Sequence, residues 1–151
     1  AEALAAQWRA EGWNARAATD LEAAVREADI VSCATLATAP LVRGEWLAPG
    51  SHLDLIGSFT PAMREADVQC FAGAHVCIDT EEALQKSGDL LDAMAAGTLR
   101  AEDVRGTLAT LCRSEQPGRP NEAGRTVFKA VGSALEDLTA ATLVWQSSDI
   151  G

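Results

Sequence analysis

Three short apolar runs, at residues 30–34, 52–56 and 74–79, constrain the fold of this chain more than any other feature of its sequence. The first run reads Ile-Val-Ser-Cys-Ala, begins with β-branched residues and does not alternate between apolar and polar positions. Such a run is typical of a strand that is buried on both faces of a parallel sheet. The second run leads directly into Gly57. We therefore predict three parallel strands.

Helical signals between these runs favour parallel pairing. The other elements predicted before residue 80 are a helix at 1–11, a strand at 13–17, a helix starting at 19–22 and ending before 29, a short turn or helical element near 45–47 and a helix at 60–69. Strands that are separated by helices of about ten or more residues pair in the same direction through right-handed crossovers. The predicted fold class is α/β, with a doubly wound parallel sheet.

The pattern becomes helical after residue 80. Segments 81–86, 89–96 and 101–112 are predicted helices, and a polar break follows at 116–121. One long helix should then run to the end of the chain. Its predicted apolar stripe consists of Val127, Phe128, Val131, Leu135, Leu138 and Leu143.

Composition narrows the partners and the compartment. A chain of 151 residues is long enough for one domain with its own core. Its formal net charge of -10 argues against nucleic acid or an anionic membrane as the main partner, and no apolar run approaches the ~20 residues of a membrane span. Cys33, Cys70, Cys77 and Cys112 show no metal-binding spacing. We expect reduced thiols, no metal site and a cytoplasmic location.

Candidate functional residues follow the predicted strands. In open parallel sheets, ligands bind beyond the carboxyl ends of the strands, which here are residues 33–35, 57–60 and 79–80. This indication is weak, because the sequence contains neither G-x-G-x-x-G nor a phosphate-binding P-loop. His52 and His75 lie within predicted strands and have no nucleophile partner, so structural roles are the favoured interpretation.

Several segments, taken in order, resemble the ornithine cyclodeaminase and mu-crystallin family. The resemblance covers nearly the whole chain. It is carried by residues 28–31 (ADIV), 44–57 (GEWLAPGSHLDLIG), 61–67 (PAMREAD), 78–79 (ID), 87–89 (SGD) and 126–132 (TVFKAVG).

The resemblance implies a homodimeric enzyme with a substrate-binding domain and a Rossmann domain that binds NADH or NADPH. Residues 1–120 would form that Rossmann domain without its first βαβ unit and its glycine-rich loop. Residues 121–151 would form a C-terminal helix that returns toward the substrate domain. On this interpretation the chain begins after the second Rossmann strand, and alone it should be inactive.

Site residues also follow from the resemblance. Cys33, Ala34 and Thr35 match the strand end that contacts the dinucleotide. The segment Leu55, Ile56, Gly57, Ser58 and Phe59 matches the backbone beside the nicotinamide ring, and Lys129 and Ala130 match a segment at the start of the last helix near the same ring. No catalytic residue is assigned.

Phe59 distinguishes between activities within the family. The resemblance places a catalytic aspartate of the cyclodeaminases at this position, and phenylalanine neither takes nor gives a proton. The pattern G-S-F-T-P instead resembles that of the reductases of cyclic imines such as Δ1-pyrroline-2-carboxylate, which form cyclic amino acids such as proline. Two alternatives stay open: a cyclodeaminase-type lyase or amino-acid dehydrogenase, and a non-catalytic binding protein like mu-crystallin.

Overall fold

The computed structural model describes residues 1–148 and contains a five-stranded, all-parallel sheet. The strands are β1 (Ile30–Cys33), β2 (His52–Leu55), β3 (His75–Ile78), β4 (Gly106–Thr107) and β5 (Thr126–Lys129), in the spatial order β1-β2-β5-β3-β4. The α/β class, the parallel pairing and the three strands predicted from the apolar runs are confirmed.

Six α-helices accompany the sheet in the described part of the chain. They are α1 (Glu2–Ala10), α2 (Leu21–Glu27), α3 (Ala83–Lys86), α4 (Gly88–Ala95), α5 (Leu108–Cys112) and α6 (Ala134–Ser147). Three short 3-10 helices lie at Gly44–Trp46, Val68–Cys70 and Ala101–Asp103. None of the described helices combines the length and the apolar character needed to cross a membrane.

The register of the strands places apolar residues in rows across the sheet. Val31 pairs with Leu53, Leu53 with Val127 and Val127 with Val76. Paired residues of parallel strands point to the same face, so these side chains form one continuous row. Three of them are almost fully buried, and Val31 packs against the same core. This row anchors the sheet on which the candidate site stands.

Residues 126–129 form a central strand, so the prediction of a long helix through them is wrong. β5 pairs with β2 on one side and with β3 on the other, which satisfies its backbone on both edges. The helix begins at Ala134, after Gly132 in a left-handed conformation with φ +84. Ser133 accepts from the backbone N–H of Glu136, whose side chain accepts from the Ser133 N–H, and this capping box fixes the start.

The predicted helix at residues 60–69 is also absent from the described structure. A loop takes its place and ends in the 3-10 helix Val68–Cys70. The carbonyl oxygen of Glu65 accepts from Leu41 and Val42, so the backbone bonds to a distant segment instead of to its own turn. The connections between the first three strands therefore contain 3-10 turns: the short element predicted near 45–47 is present as Gly44–Trp46, whereas the helix predicted at 60–69 is wrong.

Two further differences concern local pairing. Residues 13–17 form no strand, because within residues 1–148 no neighbouring strand pairs with them. The predicted helix at 101–112 is divided into a 3-10 turn, the short strand β4 and α5. The division is stabilised by the Arg105 N–H, which donates to the carbonyl of Val76 at 2.8 Å and draws the segment onto the sheet edge.

Candidate functional site

The carboxyl ends of four strands lie side by side at one edge of the sheet. Cys33 is paired with Leu55, Leu55 with Lys129, and Lys129 with Ile78. The segments that follow β1, β2, β5 and β3 are therefore neighbours, although they are far apart in sequence. The structure brings together all three groups of residues proposed from the sequence. Lys129 is the last residue of β5 and Ala130 follows it, so neither lies at the start of the last helix.

The proposed residues divide into a surface layer and a buried layer. Ala34, Ile56 and Phe59 are exposed, the last two by 43% and 47%, whereas Thr35 and Ala130 are half-buried. The side chains in the layer beneath are closed to solvent; they belong to Cys33, Leu55, Ser58 and Lys129, together with Gly57. The surface that this edge offers to a ligand is thus mainly apolar.

Glu65 connects the loops after β1 and β2. One carboxylate oxygen accepts from the Thr35 N–H at 2.5 Å, and the other accepts from the Gly57 N–H at 2.7 Å. Glu65 is fully buried. Gly57 is required here, because a methyl group on it would overlap the Thr35 carbonyl and the Glu65 carboxylate. Sequence reasoning missed Glu65, since it lies inside a segment that was predicted to be helical.

Asp89 and Lys129 form a buried pair behind Glu65. Asp89 Oδ1 accepts from the N–H groups of Glu65 and Ala66 at 2.8 and 3.0 Å. Lys129 Nζ donates to the Leu55 carbonyl at 3.1 Å and lies 3.8 Å from Asp89 Oδ2. Burial raises the pKa of Asp89 and lowers that of Lys129, and each charge partly offsets the shift of the other. Neither side chain reaches the surface, so the pair stabilises the edge from within.

Asp79 fixes the segment that follows β5. One of its oxygens accepts from the N–H groups of Val131 and Gly132 at 2.8 and 2.7 Å, and the other accepts from the Thr80 N–H at 2.6 Å. The sequence placed Asp79 among the candidate ligand-binding strand ends, but in the structure its carboxylate is occupied by backbone N–H groups. Its hydrogen bonds place Ala130 at the edge and direct the chain toward α6.

Ser58 and Cys33 are structural in this arrangement. The Ser58 hydroxyl donates to the Met63 carbonyl at 2.7 Å and closes the loop after β2. Burial raises the pKa of the Cys33 thiol to about 12, which removes it as a nucleophile near neutral pH. Both histidines bond to structural groups: His52 Nδ1 to the Thr126 hydroxyl at 2.7 Å, and His75 Nε2 to the Pro117 carbonyl at 3.0 Å.

A concave region adjoins the β3 end of this edge. It lies between α5 and α6 and has a volume of about 520 Å³. Its lining is mostly apolar and includes Asp79, Thr80, Leu108, Leu135 and Leu143. Within residues 1–148, no group of three or more His, Cys, Asp or Glu side chains is arranged to hold a metal ion.

Known proteins similar to this chain include reductases. It is 44% identical over 129 residues to the Δ1-pyrroline-2-carboxylate reductase of Paracoccus denitrificans, which covers 85% of the chain and 41% of that protein. It is 34% identical over 139 residues to the ketimine reductase mu-crystallin of Mus musculus, covering 91% of the chain and 42% of the relative. The chain therefore spans about two fifths of the length of these relatives.

A solved structure supports the same relationship. The Thermococcus litoralis Δ1-pyrroline-2-carboxylate reductase, in complex with NADH and L-proline, superposes with a TM-score of 0.90 at 28% identity. The match covers 97% of this chain and 46% of that protein. The profile of the ornithine cyclodeaminase/mu-crystallin family matches residues 1–149. This chain belongs to the ornithine cyclodeaminase/mu-crystallin family.

Proposed function

We propose that this chain is the nicotinamide-side part of a Rossmann domain in an NAD(P)H-dependent reductase of cyclic imino acids. The substrate class is that of Δ1-pyrroline-2-carboxylate, and the products are cyclic amino acids such as proline. The observation that carries the proposal is the apolar surface of Ile56 and Phe59 at the end of β2, where Phe59 provides no acid or base. The reductase names of the similar proteins support the same activity.

The surface fits one end of the cofactor. Exposed Ile56 and Phe59 offer apolar contact to a flat ring, and the half-buried Thr35 lies beside them across the β1–β2 pair. The Glu65 carboxylate beneath is used by two backbone N–H groups, which limits its repulsion of an anionic ligand. The sequence contains no G-x-G-x-x-G motif for the pyrophosphate. This surface therefore suits the nicotinamide end of the cofactor and not its phosphates.

The reaction requires a hydride on the imine carbon and a proton on the imine nitrogen. The bound cofactor supplies the hydride. Residues of this chain contribute position and exclusion of water: Ile56 and Phe59 shield the reacting edge, and the loops behind them hold its shape. Phe59 does not supply the proton, so we assign proton donation to water or to a group outside this edge.

The wider organisation is part of the same proposal. The dinucleotide domain would include residues 1–120 together with β5, which lies in the centre of its sheet, and α6 would lead toward a substrate and dimerisation domain. A homodimer in the cytoplasm is the expected state of the enzyme. The buried, unpaired thiols of Cys33, Cys70 and Cys77 favour a reducing compartment.

A steady-state assay on the intact enzyme tests the proposal. We expect NADH or NADPH to be oxidised when Δ1-pyrroline-2-carboxylate is added, with proline as the product. Ammonia release from L-ornithine without net cofactor oxidation would indicate a lyase. Reduction of NAD⁺ by a linear amino acid would indicate a dehydrogenase, and cofactor binding without turnover would indicate a binding protein. Any of these three results in place of imine reduction contradicts the proposal.

A further inference from the structure

Glu65 makes contacts that the proposed reaction does not account for. Its two carboxylate oxygens bond to two different loops, one after β1 and one after β2. We propose that Glu65 is a positioning residue that sets the separation of these loops and thereby holds Ile56 and Phe59 in place for the cofactor. This inference rests on the proposed function, because it assumes that the same edge contacts the nicotinamide.

The geometry favours a defined separation of the loops. Each oxygen accepts one backbone N–H, from Thr35 at 2.5 Å and from Gly57 at 2.7 Å. A carboxylate accepts hydrogen bonds at both oxygens, whereas an amide presents its NH₂ group to one of the two donors. Gly57 lies against this carboxylate with no side chain between them. A change at Glu65 therefore acts directly on the backbone next to Ile56.

The backbone of Glu65 is itself fixed from two sides. Its carbonyl accepts from Leu41 and Val42 at 2.8 and 3.0 Å, and its N–H donates to Asp89 Oδ1 at 2.8 Å. Lys129, 3.8 Å from the other Asp89 oxygen, donates to the carbonyl of Leu55 at the end of β2. The carboxylate thus extends from a rigid base, as expected for a group that positions its neighbours.

Asp67 provides a matched control two residues away. Its Oδ1 also accepts backbone N–H groups, from Gly44, Gln69 and Cys70 at 3.0 to 3.2 Å. Those contacts join the 3-10 turns of the same two connections, far along each from the strand ends, and none of them is to Thr35 or Gly57. A variant of Asp67 therefore reports the general cost of losing a carboxylate that bonds to backbone, without altering the proposed edge.

The test compares Glu65→Gln with Asp67→Asn in the intact enzyme. We measure NADH dissociation constants by fluorescence, and amide hydrogen exchange at Thr35 and Gly57 in the absence of cofactor. Loss of one charge-assisted hydrogen bond at the edge should weaken NADH binding on the order of tenfold in Glu65→Gln. Exchange at both amides should accelerate, while Asp67→Asn should leave NADH affinity and both amides near wild type.

Two results overturn the positioning role. One is wild-type NADH affinity in Glu65→Gln, and the other is an equal loss of affinity in Asp67→Asn, which would show a general effect of destabilisation. An enzyme that binds NADH but does not reduce the imine contradicts the proposed function and leaves this inference standing. A wild-type enzyme that does not bind NADH overturns both.

If Glu65→Gln does not fold, the wild-type enzyme provides the test. The amides of Thr35 and Gly57 should then exchange slowly, and NADH should slow them further together. Rapid exchange at either amide, or no response to NADH at both, would overturn the inference.

Discussion

At the scale of single residues, the strand-end edge depends on charges that are hidden beneath it. Lys129 is fully buried, and its ammonium faces Asp89 Oδ2, which has no hydrogen-bond donor among residues 1–148. Removing one partner of such a pair leaves the other charge buried without compensation, which typically costs about 3–5 kcal/mol. The stability of the edge should therefore depend strongly on this pair and on pH.

We predict that Lys129→Met lowers the free energy of unfolding by about 3 kcal/mol at pH 7. The matched control Lys86→Met removes an exposed lysine that pairs with Glu82, and it should cost less than about 1 kcal/mol. Urea denaturation of both variants measures the difference. Similar losses in the two variants would contradict the buried pair.

The loss of unfolding free energy in Lys129→Met should also depend on pH. Burial raises the pKa of Asp89 in the folded state. A raised pKa gives the folded state a higher proton affinity than the unfolded state, so stability from protonation is present at low pH and lost as pH rises through the folded pKa. The difference in unfolding free energy between Lys129→Met and the wild type should decrease as pH falls from 7 toward about 4. If this difference does not change with pH, the buried charge of Asp89 is not left without compensation in the variant.

Cysteine reactivity provides a second test at this scale. Burial raises the pKa of Cys33 to about 12 and also raises those of Cys70 and Cys77, whereas Cys112 is exposed. Because the thiolate is the reactive form, we expect one thiol per chain to react with Ellman's reagent at pH 8, and four after denaturation. Two or more rapidly reacting thiols in the native protein would show that the core is open.

At the scale of elements, β5 shows where sequence reasoning succeeds and where it fails. The three runs predicted their strands because each is short, rich in apolar residues and separated from the next by turn or helix signals. β5 has four residues, as β1, β2 and β3 do, but Val127, Phe128 and Val131 also fit the spacing of the helix that follows. Only its pairing with strands from elsewhere in the chain decides between strand and helix.

The same limit applies to the candidate site. The sequence order predicted which strand ends meet, because the carboxyl ends of parallel strands share one edge. It did not predict the partners beneath that edge: the bond between Glu65 and Thr35 spans 30 residues, and that between Asp79 and Val131 spans 52. Contacts of this range carry no local pattern. The buried carboxylates therefore became visible only in the structure.

Two alanine substitutions distinguish the observed strand β5 from one continuous helix through the predicted apolar stripe. Val127→Ala removes two methyl groups from a central strand, and we expect a loss of about 2 kcal/mol, including the cavity that it leaves. Leu138→Ala alters an exposed position of α6 and should cost less than about 0.5 kcal/mol in this chain. Thermal denaturation provides both values. Equal losses would favour one apolar stripe through both positions.

At the scale of the whole molecule, the chain spans about two fifths of the length of its similar reductases. Among the surfaces with large exposed apolar side chains, two bear on the proposed enzyme. They are the face of α6, with Leu135, Leu138 and Trp145, and the strand-end edge, with Ile56 and Phe59. Patches of this kind mark sites of interaction. In the proposed enzyme the edge meets the cofactor, while α6 leads toward the substrate domain.

We predict that these 151 residues alone bind the cofactor weakly. Most anion-binding N–H groups of a dinucleotide site come from the glycine-rich loop, and this sequence has no such motif. We expect the isolated chain to bind NADH at least about 100-fold more weakly than the intact enzyme, a difference of about 2.7 kcal/mol. Isothermal titration measures it. Micromolar affinity of the isolated chain for NADH would contradict this prediction.

A crystal structure of the intact enzyme with NADH and L-proline would show directly whether the strand-end edge contacts the cofactor. We expect the nicotinamide ring to lie against Ile56 and Phe59 and beside Thr35, with Glu65 bonded to both loops beneath it. A nicotinamide ring bound elsewhere, such as in the groove between α5 and α6, would contradict the assignment of this edge as the cofactor surface.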